Sequence, residues 1–385
     1  MARPKIYQRK SDGYYTFYYK KKHYTKSKKK DAEKLLTKLI KDEKYQKLID
    51  DYGKTTVEKL ATDWLELQRG TTKKQTTFDR KEQVVKYQVI KYIGKIQVAT
   101  LDSAKIQKWL NDLADDEYSY STIKKAKEYL VSALRFYKVL NKFPDNPFDD
   151  VKIPESSKND SEIVYYTKDE LNKIYAEATR KHKVKGKEEY VYRLGDAVII
   201  LGSTGMRAGE FLALTWDDID FKKGIISINK TRQRVKNRNK KTPTEPSYVD
   251  VITAPKTKKS IRDIPMSKQC KLALKRLQAL NGKFEYVSAT KEGTPITIRN
   301  FSRMFENIVV GAGMRFALDE KGKPVNKVYG PHSMRHSFAT YLINEKQANI
   351  AVVSAIMGHA DVAVTINKYV HTKEKDKKAV IKLID

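Results

Sequence analysis

Between Lys142 and Glu162 the chain carries Pro144, Pro147 and Pro154 among Asn, Asp and Ser. Proline fixes φ and removes a backbone donor, so no long helix or central strand runs through such a stretch. The segment divides the 385 residues into a part patterned for helices after a short β-prone start, and a longer mixed part. At roughly 100–200 residues per domain, two or three domains are expected. The reading is a multidomain α+β chain. It has a small three-stranded sheet plus helix over 1–50, an all-helical domain over 55–145 and a linker over 146–162. A mostly helical domain with a β-hairpin or small sheet follows over 163–385.

The first 30 residues support the sheet. Ile6 and Tyr7 are extended, Ser11-Asp12-Gly13 signals a turn, and Tyr14, Tyr15, Phe17, Tyr18 and Tyr19 form an aromatic, β-prone run. Lys20, Lys21 and Lys22 lead to a third run with Tyr24. Ala32, Leu35, Leu36, Leu39 and Ile40 then recur at helical spacing. Further helical stripes hold Val57, Leu60, Ala61, Trp64 and Leu65, then Ile106, Trp109, Leu110 and Leu113 after an Asp102/Ser103 cap. Ser121 or Thr122 opens another, with Ile123, Ala126, Leu130, Ala133, Leu134 and Tyr137. Beyond the linker, Thr167-Lys168-Asp169-Glu170 reads as a capping box. Arg193–Thr204 reads as a buried helix. Ile225–Ile228 and Tyr248–Thr253 read as strands separated by the lysine-rich Lys230–Lys241, and the pattern is helical from Pro331 to the end.

The charge identifies a class of partner. Lys and Arg total 78 against 47 Asp and Glu, for a net +31. Such an excess implies a polyanion, nucleic acid before an anionic membrane surface. It is concentrated: residues 1–50 carry +10 and residues 221–262 carry +11. Two basic segments far apart in sequence imply two separate contacts with phosphates. No apolar run reaches the ~18–20 residues of a membrane span, and MARPKIYQRK lacks the apolar stretch of a secretory signal. With Cys270 alone there is no disulfide framework and no Cys-based zinc or iron–sulfur site, so a reducing, cytoplasmic setting is expected.

Four stretches of the last region carry chemistry. In TGMRAGEFLALTWDDID, Arg207 opens a helix and can present a planar fork of donors to a phosphate, with Glu210 one turn on to orient it. In PKTKKSIRDIP, Lys256 lies between two strand-like runs, where a hairpin turn would carry it outward to a DNA groove or to a leaving oxygen. Lys258 and Lys259 beside it suit phosphate contact. In PHSMRHSFATYL, His332 and Arg335 share a helix face at i, i+3. His336, at i+4 from His332, raises a metal question that the missing third ligand answers against. In IMGHADVAVTINKYVHT, His359 follows Gly358 at a helix end and Tyr369 comes ten residues later.

Taken together, the order Arg207, Lys256, His332-x-x-Arg335, His359, Tyr369 resembles the catalytic set of the tyrosine recombinases, the phage integrase family. The words TGMRAGE, PKT, SIR, HSMRHSFAT and MGH are similar as well. The N-terminal module resembles the arm-binding domain of bacteriophage and conjugative-transposon integrases, and residues 55–145 the helical core-binding domain. The stretch from Lys230 to Val251 is longer and more basic than a minimal member needs.

The resemblance implies a site-specific recombinase that integrates and excises a mobile element. Tyr369 would attack the scissile phosphate, form a 3′-phosphotyrosyl link and free a 5′-hydroxyl. Arg207 and Arg335 would clamp the non-bridging oxygens and stabilise the added charge. His332 would take or relay the tyrosine proton, His359 would hydrogen-bond the phosphate, and Lys256 would protonate the leaving 5′-oxygen. No metal, nucleotide or other cofactor is implied. The implied partner is double-stranded DNA, at core sites and at arm sites, the latter met by Lys20, Lys21, Lys22, Lys28 and Lys29. Four protomers would exchange two duplexes, with accessory DNA-bending or excision proteins, and the apolar tail Ala379–Ile384 would dock on a neighbour. The alternatives are a Xer-type chromosome or plasmid resolvase, a type IB topoisomerase, and a non-catalytic DNA-binding protein.

Overall fold

A computed structural model describes residues 4–72, 74–155, 165–255, 260–314, 330–359 and 361–369. Lys256, Lys258, Lys259, Tyr329, the side chain of Tyr369 and the tail 370–385 lie outside the described residues. Two compact units divide the chain, residues Met1–Ser161 and Glu162–Asp385.

The first unit opens with an antiparallel sheet of β1 (Tyr7–Gln8), β2 (Tyr15–Tyr19) and β3 (Lys22–Lys26) in sequential order. Alternation along β2 sends Phe17 inward, where it stacks on Tyr24 at 5.3 Å between ring centres. Helix α1 (Lys29–Tyr52) covers that face with Ala32 and Leu36. It does not stop with the sheet: Leu48, near its far end, is fully buried in the core of the helices that follow. Those are α2 (Val57–Thr71), α3 (Gln75–Val84), the single turn α4 (Lys91–Ile93), α5 (Ser103–Asp115) and α6 (Tyr120–Phe136).

The stripes expected of α2, α5 and α6 form that core. Asp102 caps α5, accepting from the Lys105 amide at 2.8 Å. Helix α6 starts at Tyr120 after Ser119, one or two residues earlier than Ser121 or Thr122 would place it. Between α3 and α4 the chain is π-helical over Val85–Ile90, and there the Trp109 indole donates to the Gln88 carbonyl at 2.7 Å. The proline-rich segment is not free chain at its start. Phe148 is buried, and Gln107 bonds both the amide and the carbonyl of Lys152 at 2.9 Å.

The second unit begins with α7 (Lys168–Ala178), opened by the expected capping box of Thr167 and Glu170. An exposed hairpin follows, β4 (Lys181–Val184) and β5 (Lys187–Tyr190). The apolar helix α8 spans Asp196–Thr204, not Arg193–Thr204. Gly195 sets its start: a Cβ there would lie 1.8 Å from the Ala178 carbonyl oxygen, and Arg193 instead reaches out to Asn281. The short α9 (Ala208–Phe211) comes next.

A sheet of β6 (Ile219–Asp220), β7 (Ile225–Ile228) and, further on, β10 (Arg262–Pro265) runs antiparallel in the order β10-β7-β6. The lysine-rich stretch expected to separate strands is itself β8 (Thr231–Lys236), which pairs with β9 (Tyr248–Thr253) as a second hairpin. The strands flanking Lys256 therefore do not pair with each other: β9 belongs to β8 and β10 to β7. The cause is burial. Ile264 of β10 joins Ile226 and Ile228 in the core, whereas β9 sets Val249 opposite the buried Val235.

Helices α10 (Lys268–Asn281), α11 (Ile298–Gly311) and α12 (His332–Thr340) enclose α8 and that sheet. The chain then passes through α13 (Ile350–Met357) and α14 (Val362–Tyr369). Among the described residues no helix is long and apolar enough to cross a membrane.

Candidate active site

The site is built where α8 ends. Gly205 caps that helix at φ +64, a left-handed conformation, and a Cβ there would strike the Phe338 ring of α12 at 2.4 Å. The turn buries Met206 and brings out Arg207 at the start of α9, with 38% of its side chain exposed. The fully enclosed Arg335 of α12 donates from Nη1 to the Gly205 carbonyl at 2.8 Å. Both arginines are thus fixed to one tight turn.

Glu210, 4% exposed, holds Arg207 from below. It accepts from the Arg207 amide at 2.8 Å and from its Nη1 at 2.8 Å. The same carboxylate accepts from Arg262, Nη2 at 2.9 Å and Nη1 at 3.2 Å. Burial alone would push the Glu210 carboxyl up, but the Arg262 guanidinium, with the Arg207 amide and guanidinium, holds it below the usual carboxylate range. Sequence reasoning used the word that contains Arg262 and gave the residue no role. Its role depends on a carboxylate 52 residues earlier in the chain, which no local pattern marks.

On α12, His332 is the exposed first residue, one turn before Arg335, and its ring meets His336 edge-on at 4.8 Å. Among the described residues no group of three or more His, Cys, Asp or Glu is placed to hold a metal ion. At the other side, α13 ends on Gly358 at φ +67, and the Gly358 carbonyl lies 3.5 Å from Arg207 Nη2. His359 follows, its Nδ1 sharing a hydrogen bond of 2.7 Å with the hydroxyl of the buried Thr365 on α14. Tyr369 closes α14 one turn beyond Thr365. Arg207 and Glu210 are bonded directly, Arg335 holds the turn two residues before Arg207, and His359 follows the Gly358 carbonyl that meets Arg207, with His332 one helical turn before Arg335.

The N-terminal lysines belong to the first unit. Lys20 and Lys21 form the β2–β3 turn at φ +49 and +63, Lys22 opens β3, and Lys28 and Lys29 start α1. All five are exposed. Lys20 pairs with Glu43 at 3.1 Å, a carboxyl held down to about 2 by the Tyr19 hydroxyl first and by Lys20 second.

Residues 164–376, more than half the chain, match the model described as the phage integrase family. The chain belongs to the phage integrase family. A second match, to the phage integrase N-terminal SAM-like domain, covers residues 56–114. Among relatives of this integrase-family chain is a XerC-like tyrosine recombinase of Caldanaerobacter subterraneus, 28% identical over 309 residues, 75% of this chain and 72% of that protein. The transposase of transposon Tn916 from Enterococcus faecalis is 27% identical over 298 residues, 72% of this chain but only 65% of that protein. The integrase of Staphylococcus phage L54a is 24% identical over 361 residues, 88% of this chain and 95% of that protein. Among solved structures, the Tn1549 transposon integrase in complex with transposon right end DNA matches with a TM-score of 0.66 at 25% identity, covering 85% of this chain and 99% of that one. A lambda integrase tetramer bound to a Holliday junction shares the fold at 16% identity, with a TM-score of 0.58 and 97% of both chains covered.

Proposed function

We propose that this phage integrase family member is a tyrosine-type site-specific recombinase that integrates and excises a mobile element. The carrying observation is the single turn at Gly205, whose carbonyl Arg335 bonds and which presents Arg207, with the carbonyl of Gly358, the residue before His359, near Arg207 Nη2. Two guanidiniums and an imidazole so gathered suit one phosphate diester and its developing charge.

The proposed step is a transesterification. The Tyr369 oxygen attacks phosphorus, the bond to the 5′-oxygen breaks, and a 3′-phosphotyrosyl ester conserves the energy of the bond for rejoining. His332 takes the tyrosine proton and Lys256 protonates the leaving 5′-oxygen. Arg207 and Arg335 hold the non-bridging oxygens and His359 donates to one of them, its ring oriented by Thr365. Glu210 orients Arg207. The charge is supplied by side chains, so cleavage is expected to need no metal and no nucleotide.

The partner is double-stranded DNA. Support comes from the net charge of +31 and from the likeness to an integrase solved with transposon DNA. The sheet over residues 7–26, with Tyr7 and Tyr18 exposed on the side away from α1 and lysines at its edge, is proposed to bind arm sites, with Lys258 and Lys259 on the core site. The alignment with the phage L54a protein, over 88% of this chain, favours a mobile-element integrase over a Xer-type resolvase. A homotetramer is the working assembly, as in the lambda complex, with accessory bending or excision proteins setting direction.

The test is covalent capture on a nicked core-site duplex in saturating EDTA. The wild-type chain is expected to form a protein–DNA adduct there, and Tyr369→Phe to bind the site with unchanged affinity and form none. An adduct with the Phe variant moves the nucleophile elsewhere, Tyr329 first. Adducts that appear only with a divalent ion would revive a metal site at His332 and His336.

A further inference from the structure

We propose that Arg262 is a positioning residue for DNA cleavage: one buried guanidinium sets both the Glu210 carboxylate behind Arg207 and the turn that carries His359. The proposal rests on reading Arg207 and His359 as phosphate ligands.

Arg262 begins β10, opposite Ile228 of β7, and its side chain is 7% exposed. Its donors reach three chain segments. Nη2 and Nη1 make a forked pair with the two Glu210 oxygens at 2.9 and 3.2 Å. Nη1 also donates to the Ser260 carbonyl at 3.1 Å, close to Lys256 in sequence. Nε donates to the Ile356 carbonyl, in the last turn of α13. Only a planar group with donors on both edges satisfies this arrangement; an ammonium of similar reach meets one side of it.

Two features separate this from ordinary buried pairing. Glu210 is shared: each of its oxygens takes one bond from Arg207 and at least one from Arg262, so the carboxylate cannot turn toward one arginine without loosening the other. Of the three charged side chains only Arg207 faces outward, 38% exposed against 7% and 4%, so the net positive charge of the trio is presented there. Gly358 is the second feature. A Cβ on it would stand 2.9 Å from Arg262 Nη1 and 3.0 Å from Cζ, so the guanidinium fills the space against that α-carbon. Gly358 is also the residue whose carbonyl faces Arg207 and whose successor is His359. Moving Arg262 therefore moves both phosphate ligands together.

The experiment is single-turnover cleavage of a nicked core-site duplex by the full chain, with either a phosphodiester or a neutral methylphosphonate at the scissile position. The methyl group removes the negative oxygen that Arg207 is placed to meet. Arg262→Lys should cleave the phosphodiester about 10²-fold more slowly, the loss expected of a ligand displaced by about an ångström. Core-site affinity should stay near wild type, the unfolding temperature should fall because a buried guanidinium loses partners that an ammonium cannot all meet, and the loss on the methylphosphonate should be much smaller. Gly358→Ala, which keeps Arg262 but presses on it and strains the left-handed φ of +67 there, should give the same substrate-dependent loss and serves if the lysine variant does not fold. Equal losses on both substrates, or wild-type cleavage of the phosphodiester, overturn the positioning role. If the wild-type chain itself forms no adduct on the phosphodiester, the functional reading fails instead.

Discussion

Arg335 donates to the carbonyl oxygen of Gly205 at 2.8 Å from a side chain that is 1% exposed. An arginine so enclosed is held by the protein before any phosphate arrives, and the backbone it holds is the turn that delivers Arg207. Preorganisation of this kind is what makes a donor effective in a transition state, because nothing has to move when charge develops.

Arg335→Lys should therefore fail in two ways. Lysine keeps the charge but has no fork, so it cannot bond Gly205 and a phosphate oxygen together. Cleavage is expected to fall about 10²–10³-fold, the loss seen when one oxyanion donor is removed. The unfolding temperature should also drop, since the replacement buries an ammonium without its partners. Single-turnover rates and a thermal melt of the same preparation check both parts.

Glu210 gives a pH prediction. Its carboxyl is held below the ordinary range in the folded chain, so its ionisation stabilises the fold above the unfolded value of about 4.3 and is lost as pH falls through the lower folded value. Glu210→Gln removes that dependence. The gap in unfolding temperature between wild type and variant should be full near pH 7 and shrink below about pH 4. Removing one partner of a buried ion pair costs about 3–5 kcal/mol, and the amide, which still accepts hydrogen bonds, should fall at the low end. A gap that stays constant down to pH 3 would count against the ion pair.

The N-terminal module can be removed cleanly only if the cut respects α1. Deleting residues 1–28 takes away the sheet and leaves the helix that buries Leu48. That truncation should keep core-site binding and cleavage and lose protection of distal arm sites. Its salt dependence should be shallower, by ~0.9 in slope for each phosphate it no longer neutralises. Deleting 1–50 also removes Leu48, and should destabilise the helical unit by about 2–5 kcal/mol, as for a buried leucine truncated to alanine. Footprinting and melts of both truncations decide this. Distal protection by the shorter chain would make the basic sheet a solvated face.

What could be read in advance follows from how each residue is stabilised. The stripes of α2, α5 and α6 were legible because their periodicity is the burial pattern itself. The words around Arg207, Arg335 and His359 were legible through their resemblance to a known family, and the glycines at 205 and 358 in two of them do sit at left-handed turns. β8 was not: Thr-Arg-Gln-Arg-Val-Lys buries only Val235, and partners 12 to 22 residues away in β9 decide that it is a strand. Arg232 looks like a solvated charge in the sequence, yet it is 10% exposed and pairs with Asp250 across the hairpin at 3.3 Å. Arg262 was obscure for the same reason. Its three partners lie 2, 52 and 94 residues away, and no local pattern encodes them.

Helix α1 has a geometric consequence for how this chain would measure DNA. Its 24 residues span about 36 Å, with the sheet packed on one end and Leu48 locked into the helices at the other. An unbroken helix between the sheet and the helical domain couples distance to rotation, since each residue advances about 1.5 Å and turns about 100°. Two residues inserted midway would carry the sheet about 3 Å outward and swing it more than half a turn. Seven would lengthen the arm by about 10 Å and return it near its starting azimuth. Arm-site recognition should therefore vary with insert length in a repeating way, as a propeller shaft rather than a tether would dictate.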